Sequence, residues 1–152
     1  MRSIRPANLG DLPEIANLEL GAFGQSGHTS LSLRQLFDLF PSLFLVAASG
    51  SSQPEAIGYS VGAISQLNSV GWILALTSRA DCRRVGVGRS LTEELIARLQ
   101  NHGVDETFLT VAPQNLPARS LYLQLGFRER VTVADYFVDN EPRLLMSRNR
   151  KT

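Results

Sequence analysis

The stretch CRRVGVGRSL, residues 82–91, sets two glycines one residue apart, directly ahead of a helix-like apolar pattern. Gly86 and Gly88 permit a tight turn and let backbone N–H groups approach a ligand closely. The start of the following helix adds unpaired N–H donors and a partial positive charge. Full positive charges come from three arginines, Arg83, Arg84 and Arg89. The stretch predicts a phosphate or pyrophosphate site, although the loop alone also fits an arginine-flanked turn without a ligand.

Two common phosphate motifs do not match this loop. A P-loop ends in Gly-Lys-Ser/Thr, and the chain's only lysine is Lys151. A dinucleotide-binding fingerprint places a third glycine where this sequence has Leu91. Neither a P-loop nor a dinucleotide fold is therefore predicted.

Composition narrows the class of protein. A chain of 152 residues with 43% apolar residues fits one domain, which we predict to span residues 1–152. The net charge of +1 gives no broad basic surface for nucleic acid, and the longest apolar runs are too short for a membrane span. A single cysteine, Cys82, and no signal-peptide pattern predict a reduced, cytoplasmic protein. His28 and His102 lack metal-ligand spacing, so no metal site is predicted.

Apolar periodicity predicts the element order β-α-α-β-β-β-α-β-α-β-β. The run GWILALTS (71–78) is almost continuously apolar, which is typical of a strand buried on both faces. The strand–helix–strand unit from Trp72 to Val111 predicts a right-handed parallel crossover. A mixed sheet with helices on both faces follows.

Helix boundaries are also marked in the sequence. Asp11 and Glu14 predict a capping box at the first helix. Asn115 predicts the cap of a short helix over residues 115–126. The helix after the glycines carries one apolar face, formed by Leu91, Leu95, Ile96 and Leu99.

Two motifs in this order carry a family resemblance. Arg83-x-x-Gly86-x-Gly88 is followed by a helix, a strand and the segment NLPARSLYLQLGF (115–127). This arrangement resembles the GNAT superfamily of acyl-CoA-dependent N-acetyltransferases, closely over residues 72–127 and more loosely over the opening IRPANLGDLPEIANLE. The resemblance implies an α/β fold: a mixed, mostly antiparallel twisted sheet of six to seven strands, about four flanking helices and one splayed parallel strand pair.

The resemblance also implies an activity. Such enzymes move the acetyl group of acetyl-CoA to a primary amine of a small molecule or a peptide N-terminus, by direct attack in a ternary complex. A non-catalytic acyl-CoA-binding regulatory module stays open, because Thr110 stands where some relatives carry a glutamate that serves as general base. The resemblance leaves a homodimer open and gives no identity for the acceptor amine.

The site residues follow from the matched motifs. The resemblance assigns the coenzyme A pyrophosphate to the loop Arg83, Arg84, Val85, Gly86, Val87, Gly88 and Arg89. It assigns the pantetheine arm and thioester to backbone groups of Leu76, Thr77 and Ser78. Asn115 would contact coenzyme A as well as cap its helix. Tyr122 would be the general acid for the leaving thiolate, worth roughly 10²-fold; its other interpretation is a core aromatic residue.

The base and the acceptor site are less defined. With Thr110 in place of the glutamate, proton removal falls to water, Glu19 or Asp135, and for either acid a solvated surface position is the simpler expectation. Tyr136 and Phe137 resemble an aromatic pair with which peptide-acetylating relatives contact their acceptor, or are alternate residues of a strand. His28 lies in a loop that often shapes the acceptor site in this family, and the simpler expectation is an ordinary loop histidine with no role in the site.

Overall fold

The computed structural model describes residues 2–67, 69–137 and 140–150. Within these ranges the strands are β1 (Arg2–Pro6), β2 (Phe44–Ser49), β3 (Glu55–Ile64), β4 (Gly71–Ser78), β5 (Glu106–Val111), β6 (Arg128–Val133) and β7 (Arg143–Asn149). The α-helices are α1 (Leu12–Phe23), α2 (Ser30–Leu39), α3 (Val87–Asn101) and α4 (Leu116–Gln124). The predicted order of elements is confirmed.

The strands form one sheet in the order β1-β2-β3-β4-β5-β7-β6. Only β4 and β5 run parallel, joined by α3, and every other neighbouring pair is antiparallel. Ile15 of α1 and Leu33 of α2 pack in one apolar cluster. The predicted stripe of α3 is buried in the other, larger cluster, together with residues of α4. The mixed, mostly antiparallel sheet with one parallel pair is therefore confirmed.

The parallel pair is interrupted almost as soon as it forms. Its register contains two matches, Gly71 with Thr107 and Trp72 with Phe108. The rings of Trp72 and Phe108 stack at 5.3 Å between centroids and close the paired end. Beyond them the strands diverge, which agrees with the splay that the resemblance implies. We call this opening the strand gap.

A β-bulge lies where the strand gap begins. Val61 of β3 is opposite Ala75, and the next residue, Gly62, is opposite Ile73. Leu74 therefore has no partner in β3, and the extra residue bends β4 locally. Side chains of a strand point alternately to the two faces of the sheet, and the extra residue shifts this alternation by one. The shift lies at the point where β4 leaves β5.

The expectation that β4 is buried on both faces is wrong. Leu74 is 38% exposed, and Leu76 and Ser78 are only half-buried. The strand gap explains this, because the second half of β4 has no paired strand on its β5 side. This half of β4 therefore has one open edge, while Leu76 and Ala75 still pack in part against the two apolar clusters.

The predicted capping box lies at the wrong residues. Asp11 Oδ2 accepts from the Asn8 N–H at 2.8 Å, so the box forms one short turn earlier. Arg5 also binds Asp11 at 2.7 Å and holds the pKa of its carboxyl below the usual range. Glu14 instead accepts from the Ala56 N–H at 2.8 Å and ties α1 to β3. Among the described helices, none has the length and apolar character that a membrane span requires.

Candidate active site

The glycine loop, residues 83–89, forms a tight turn at the start of α3. Gly86 has a φ of +86° and precedes the first residue of α3, and Arg84 has a φ of +68°. A non-glycine residue in this left-handed region is uncommon and marks a constrained turn. The first N–H groups of α3 have no acceptor inside the helix. A turn of this kind at a helix N-terminus is a natural phosphate site.

Three of the predicted elements meet at Gly88. A Cβ atom added there would lie 3.6 Å from Leu121 Cδ2 and 3.9 Å from Leu76 Cδ2. The start of α3 therefore contacts β4 and α4 at one point. The fold thus brings the glycine loop together with the β4 segment and with the helix that carries Tyr122.

The arginines of the loop differ in their contacts. Arg83 and Arg84 are exposed, and no ion pair of either is found among the described residues. Arg89, by contrast, donates to Glu93 Oε1 at 3.2 Å and to Gln124 Oε1 at 2.8 Å, which links α3 to α4. The Arg89 side chain is therefore engaged within the protein, whereas the assignment of the loop's arginines to the pyrophosphate stays a prediction.

A further cation reaches the loop from the edge of the sheet. Arg2 of β1 donates from Nη1 to the Val85 carbonyl oxygen at 2.6 Å. Arg2 and Val85 are 83 positions apart, so no local motif announces this contact. Arg2 could not be identified from the sequence for that reason.

The predicted β4 residues lie along the strand gap. Leu76 and Ser78 are half-buried, whereas Thr77 is 4% exposed and donates from Oγ1 to Glu19 Oε1 at 3.1 Å. The Thr77 hydroxyl is thus used inside the protein, on the α1 face. Its backbone groups are what it can offer to a ligand.

Glu19 is not a solvated surface residue. It is 2% exposed and accepts three hydrogen bonds, from Tyr59 Oη at 2.6 Å, from Thr77 and from the His28 N–H at 2.7 Å. The expectation was wrong because Glu19 follows Ile15 by four residues, which places both on the buried face of α1. That spacing was a signal in the sequence. Burial and the Glu19 charge raise the pKa of Tyr59.

This carboxylate fastens the loop of residues 24–29 to the sheet. His28 is half-buried, and its Nε2 lies 3.4 Å from the carbonyl oxygen of Leu74, the bulge residue. The loop therefore borders the strand gap on the β4 side. Asp135, the other candidate base, is exposed and accepts from the Asn140 N–H at 2.9 Å, as expected of a turn residue.

Tyr122 lies on α4 at the inner side of the site. It is 7% exposed, and its ring meets Phe127 edge-on at 5.7 Å between centroids. Burial raises the pKa of Tyr122 to about 12, against a smaller opposing effect of the Arg143 charge. Asn115 caps α4 as predicted, with Oδ1 accepting from the Ala118 N–H at 3.3 Å. Tyr122 is thus an un-ionised hydroxyl at neutral pH.

An arginine stands beside the position of the missing glutamate. Arg143 donates from Nε to Thr110 Oγ1 at 3.2 Å and from Nη2 to the Thr110 carbonyl oxygen at 3.0 Å. Its guanidinium carbon lies 5.5 Å from the centroid of the Phe137 ring, which packs edge-on against Tyr136. Arg143 could not be identified from the sequence, because a lone arginine at a strand start carries no recognisable pattern.

Known proteins share both the sequence and the fold. Residues 12–127 match the model of the acetyltransferase (GNAT) family. An uncharacterized N-acetyltransferase of Methanocaldococcus jannaschii is 30% identical over 144 residues, 94% of this chain and 88% of that protein. An N-alpha-acetyltransferase of Sulfolobus acidocaldarius is 26% identical over 155 residues, 95% of this chain and 90% of that protein.

A solved structure agrees. The NatC complex bound to Gag peptide and CoA matches with a TM-score of 0.89 and 20% identity over 99% of each chain. This likeness supports the fold, while the family model covers both motifs from which the resemblance was inferred. The chain therefore belongs to the acetyltransferase (GNAT) family.

Proposed function

We propose that the protein acetylates the N-terminal amine of a peptide or protein, with acetyl-CoA as cosubstrate. The observation that carries the proposal is the strand gap, because it opens beside the glycine loop and α4. A cosubstrate with a diphosphate at one end and a thioester at the other could place its diphosphate at the glycine loop and its thioester in the strand gap. We also propose that residues 1–152 form a single domain and that the protein acts in the cytoplasm.

The glycine loop would hold the cosubstrate's pyrophosphate. Its backbone N–H groups supply short hydrogen bonds, and the partial positive charge at the start of α3 favours the anion. Arg83 and Arg84 would add charge, since both side chains are exposed. Arg89 would act mainly by holding α4 against α3 through Gln124, and Asn115 would contact the cosubstrate at the start of α4.

The second half of β4 would bind the pantetheine arm. Leu76, Thr77 and Ser78 lie past the bulge, where β4 no longer pairs with β5. All three residues pair with β3 on the other edge of β4, and backbone groups of a strand alternate between its two edges. Those that point into the strand gap can form strand-like hydrogen bonds to the amides of the arm. The thioester would lie at the same segment, toward the Leu74 bulge, where strand N–H donors could stabilise the oxyanion that develops during attack.

Tyr122 would donate a hydrogen bond to the departing sulfur. A thiol has a pKa near 8.5, and burial raises the pKa of Tyr122 to about 12. Complete proton transfer from Tyr122 to the thiolate would therefore be uphill by about 5 kcal/mol. The hydroxyl can still stabilise the charge that develops on the sulfur. We therefore assign Tyr122 as a hydrogen-bond donor to the thiolate, which passes on its proton only if solvent supplies another proton to the tyrosine.

No carboxylate is well placed as a strong base among the described residues of the site. Three donors occupy Glu19, and Asp135 serves a surface turn. Thr110 cannot accept a proton at neutral pH. We therefore propose that the amine enters in its neutral form and releases its proton to water after attack.

A peptide acceptor is favoured by both borders of the strand gap. On the β4 side lies the His28 loop, and on the β5 side Arg143 brings the exposed Tyr136 and Phe137 close to Thr110. Exposed aromatic rings are enriched at surfaces that contact peptides and proteins. The N-alpha-acetyltransferase name of the Sulfolobus relative supports this acceptor class.

The proposal is tested with acetyl-CoA and a panel of peptides with free N-termini. Thiol release should depend on both substrates, and mass spectrometry should place one acetyl group on the α-amine. Binding of coenzyme A without turnover on any amine would instead support the regulatory module. Acetylation of small amines but of no peptide would overturn the acceptor class alone.

A further inference from the structure

A cation occupies the acceptor side of the proposed site. Arg143 begins β7, and the β5–β7 register pairs Val111, the last residue of β5, with Leu144. Arg143 therefore stands just past the end of β5, on the far side of the strand gap from β4. Leu144 is buried in the cluster that contains α3 and α4. Alternation along the strand directs Arg143 to the opposite face, which also carries Thr110.

The guanidinium is held in place and has donors to spare. A guanidinium carries five N–H donors, and the two bonds to Thr110 use Nε and one N–H of Nη2. The guanidinium carbon lies 5.5 Å from the centroid of the Phe137 ring, and among the described residues neither Nη1 nor the second N–H of Nη2 donates to an acceptor. These donors can bind the two oxygens of a carboxylate side by side.

Partial burial makes an anionic ligand favourable. Arg143 is half-buried, and loss of solvent lowers the pKa of its guanidinium, yet the group keeps its charge at any physiological pH. Glu141 is the described acid that influences it, and Tyr122 and Tyr136 are the nearby titratable hydroxyls. Within residues 2–67, 69–137 and 140–150, no carboxylate lies within 4.0 Å of the guanidinium.

We propose that Arg143 binds a carboxylate of the acceptor, so that the preferred peptides carry Asp or Glu within the first few residues. This rests on the proposed function and names its substrate class. The anchor on Thr110 and the stack beside Phe137 fix the cation at the rim of the strand gap. An acidic side chain close to the reactive amine can reach it while the amine meets the thioester. Polycationic amines are repelled from the same position.

The test uses peptides with amidated C-termini, so that a side chain carries the only carboxylate. Sets with Asp or Glu, with Asn or Gln, and with Lys at positions 1 to 3 are compared as kcat/KM on the full chain. For the wild type, acidic peptides should exceed their amide counterparts by about tenfold or more, mainly through a lower KM. Arg143→Gln should bring this ratio to within about twofold, and Arg143→Lys should keep part of it.

Arg143→Glu should reverse the order in favour of lysine peptides. Arg34→Gln is the matched control, because Arg34 pairs with Asp38 on the exposed face of α2, and it should keep the wild-type ratio. Equal rates on acidic and amide peptides in the wild type would overturn the assignment even if every variant failed to fold. So would an acid preference that survives in Arg143→Gln. Absence of any peptide acetylation would refute the proposed acceptor class instead.

Discussion

The Tyr59 hydroxyl donates a 2.6 Å hydrogen bond to Glu19 Oε1, so that a strand in the middle of the sheet and the first helix share one buried carboxylate. The same carboxylate receives the Thr77 hydroxyl from β4 and the N–H of His28. One side chain therefore joins the proposed cosubstrate strand to the proposed acceptor loop. The role of this carboxylate is to hold the structure together, because all three of its hydrogen-bond donors come from the protein.

Glu19→Ala should destabilise the fold strongly. It leaves two hydroxyls and one N–H group without their acceptor in a buried region, at a cost of about 3–5 kcal/mol in the free energy of unfolding. Urea denaturation measures this. Asp38→Ala is the control, because Asp38 forms an exposed i,i+4 pair with Arg34 and should cost at most about 0.5 kcal/mol. A loss below about 1 kcal/mol for Glu19→Ala would contradict the anchoring role.

Gly86→Glu should abolish tight binding of coenzyme A. Gly103→Glu provides a matched control, because Gly103 has a φ of +85°, against +86° for Gly86, and also lies at a helix end. Both variants carry similar backbone strain of roughly 1 kcal/mol. Only the first adds a side chain and a negative charge to the proposed phosphate site. Calorimetric titration should give a loss of at least about tenfold for Gly86→Glu and little change for Gly103→Glu; equal losses would refute the assignment.

Arg84→Asn should weaken coenzyme A binding more than Arg89→Ala. Asparagine tolerates the left-handed conformation at position 84, so the substitution removes the charge with little added strain. The expected loss, measured by calorimetric titration, is about 5- to 20-fold at low salt, and it should shrink as ionic strength rises. Arg89 is already engaged with Glu93 and Gln124. A larger loss of affinity for Arg89→Ala than for Arg84→Asn would show that Arg89 leaves those partners to bind the phosphate.

Tyr122→Phe should lower kcat by about 10- to 100-fold and leave the affinity for coenzyme A unchanged. The phenyl ring keeps the edge-on contact with Phe127, so thermal unfolding should shift little. Steady-state kinetics with saturating acetyl-CoA separate the two constants. An unchanged kcat would leave Tyr122 as a packing residue.

Alkaline pH should destabilise the protein through its buried tyrosines. Burial raises the pKa of Tyr122 to about 12, and burial with the Glu19 charge raises that of Tyr59 further. In the unfolded chain both groups titrate near pH 10. Above that pH the unfolded chain releases protons that the folded chain retains, so the free energy of unfolding falls as pH rises.

Urea midpoints measured from about pH 9 to about pH 11.5 test this, since the range brackets the unfolded tyrosine pKa. Tyr122→Phe should make the midpoint fall less steeply with pH, because the variant lacks one of the hydroxyl protons that the folded chain retains and the unfolded chain releases. A constant midpoint over this range would contradict the burial assigned to the two hydroxyls.

Much of the architecture was readable from the sequence, because the signals were local. The glycine loop, the apolar stripe from Leu91 to Leu99 and the Asn115 cap each depend on residues within a few positions of one another. The order of elements and the parallel crossover followed from them. The family resemblance could be recognised for the same reason, because each of its two motifs is a short continuous stretch of sequence.

The errors arose where distant residues decide the outcome. The apolar run of β4 indicated burial on both faces, but the bulge at Leu74 and the departure of β5 leave half of it open. Arg2 and Arg143 reach the site from the first and last strands, and neither contact has a local pattern. Glu19 is the exception, because its spacing from Ile15 already indicated a buried position.

The two-residue pairing of β4 with β5 means that the sheet is continuous only at its base. Above the Trp72–Phe108 stack, β4 and β5 no longer bond to each other, and the backbone groups that point into the opening have no strand partner there. A thioester cosubstrate lying there would act as the missing strand, so heat resistance should climb with cosubstrate supply. The cell's acyl-CoA level would then govern how long this protein lasts as well as how fast it turns over.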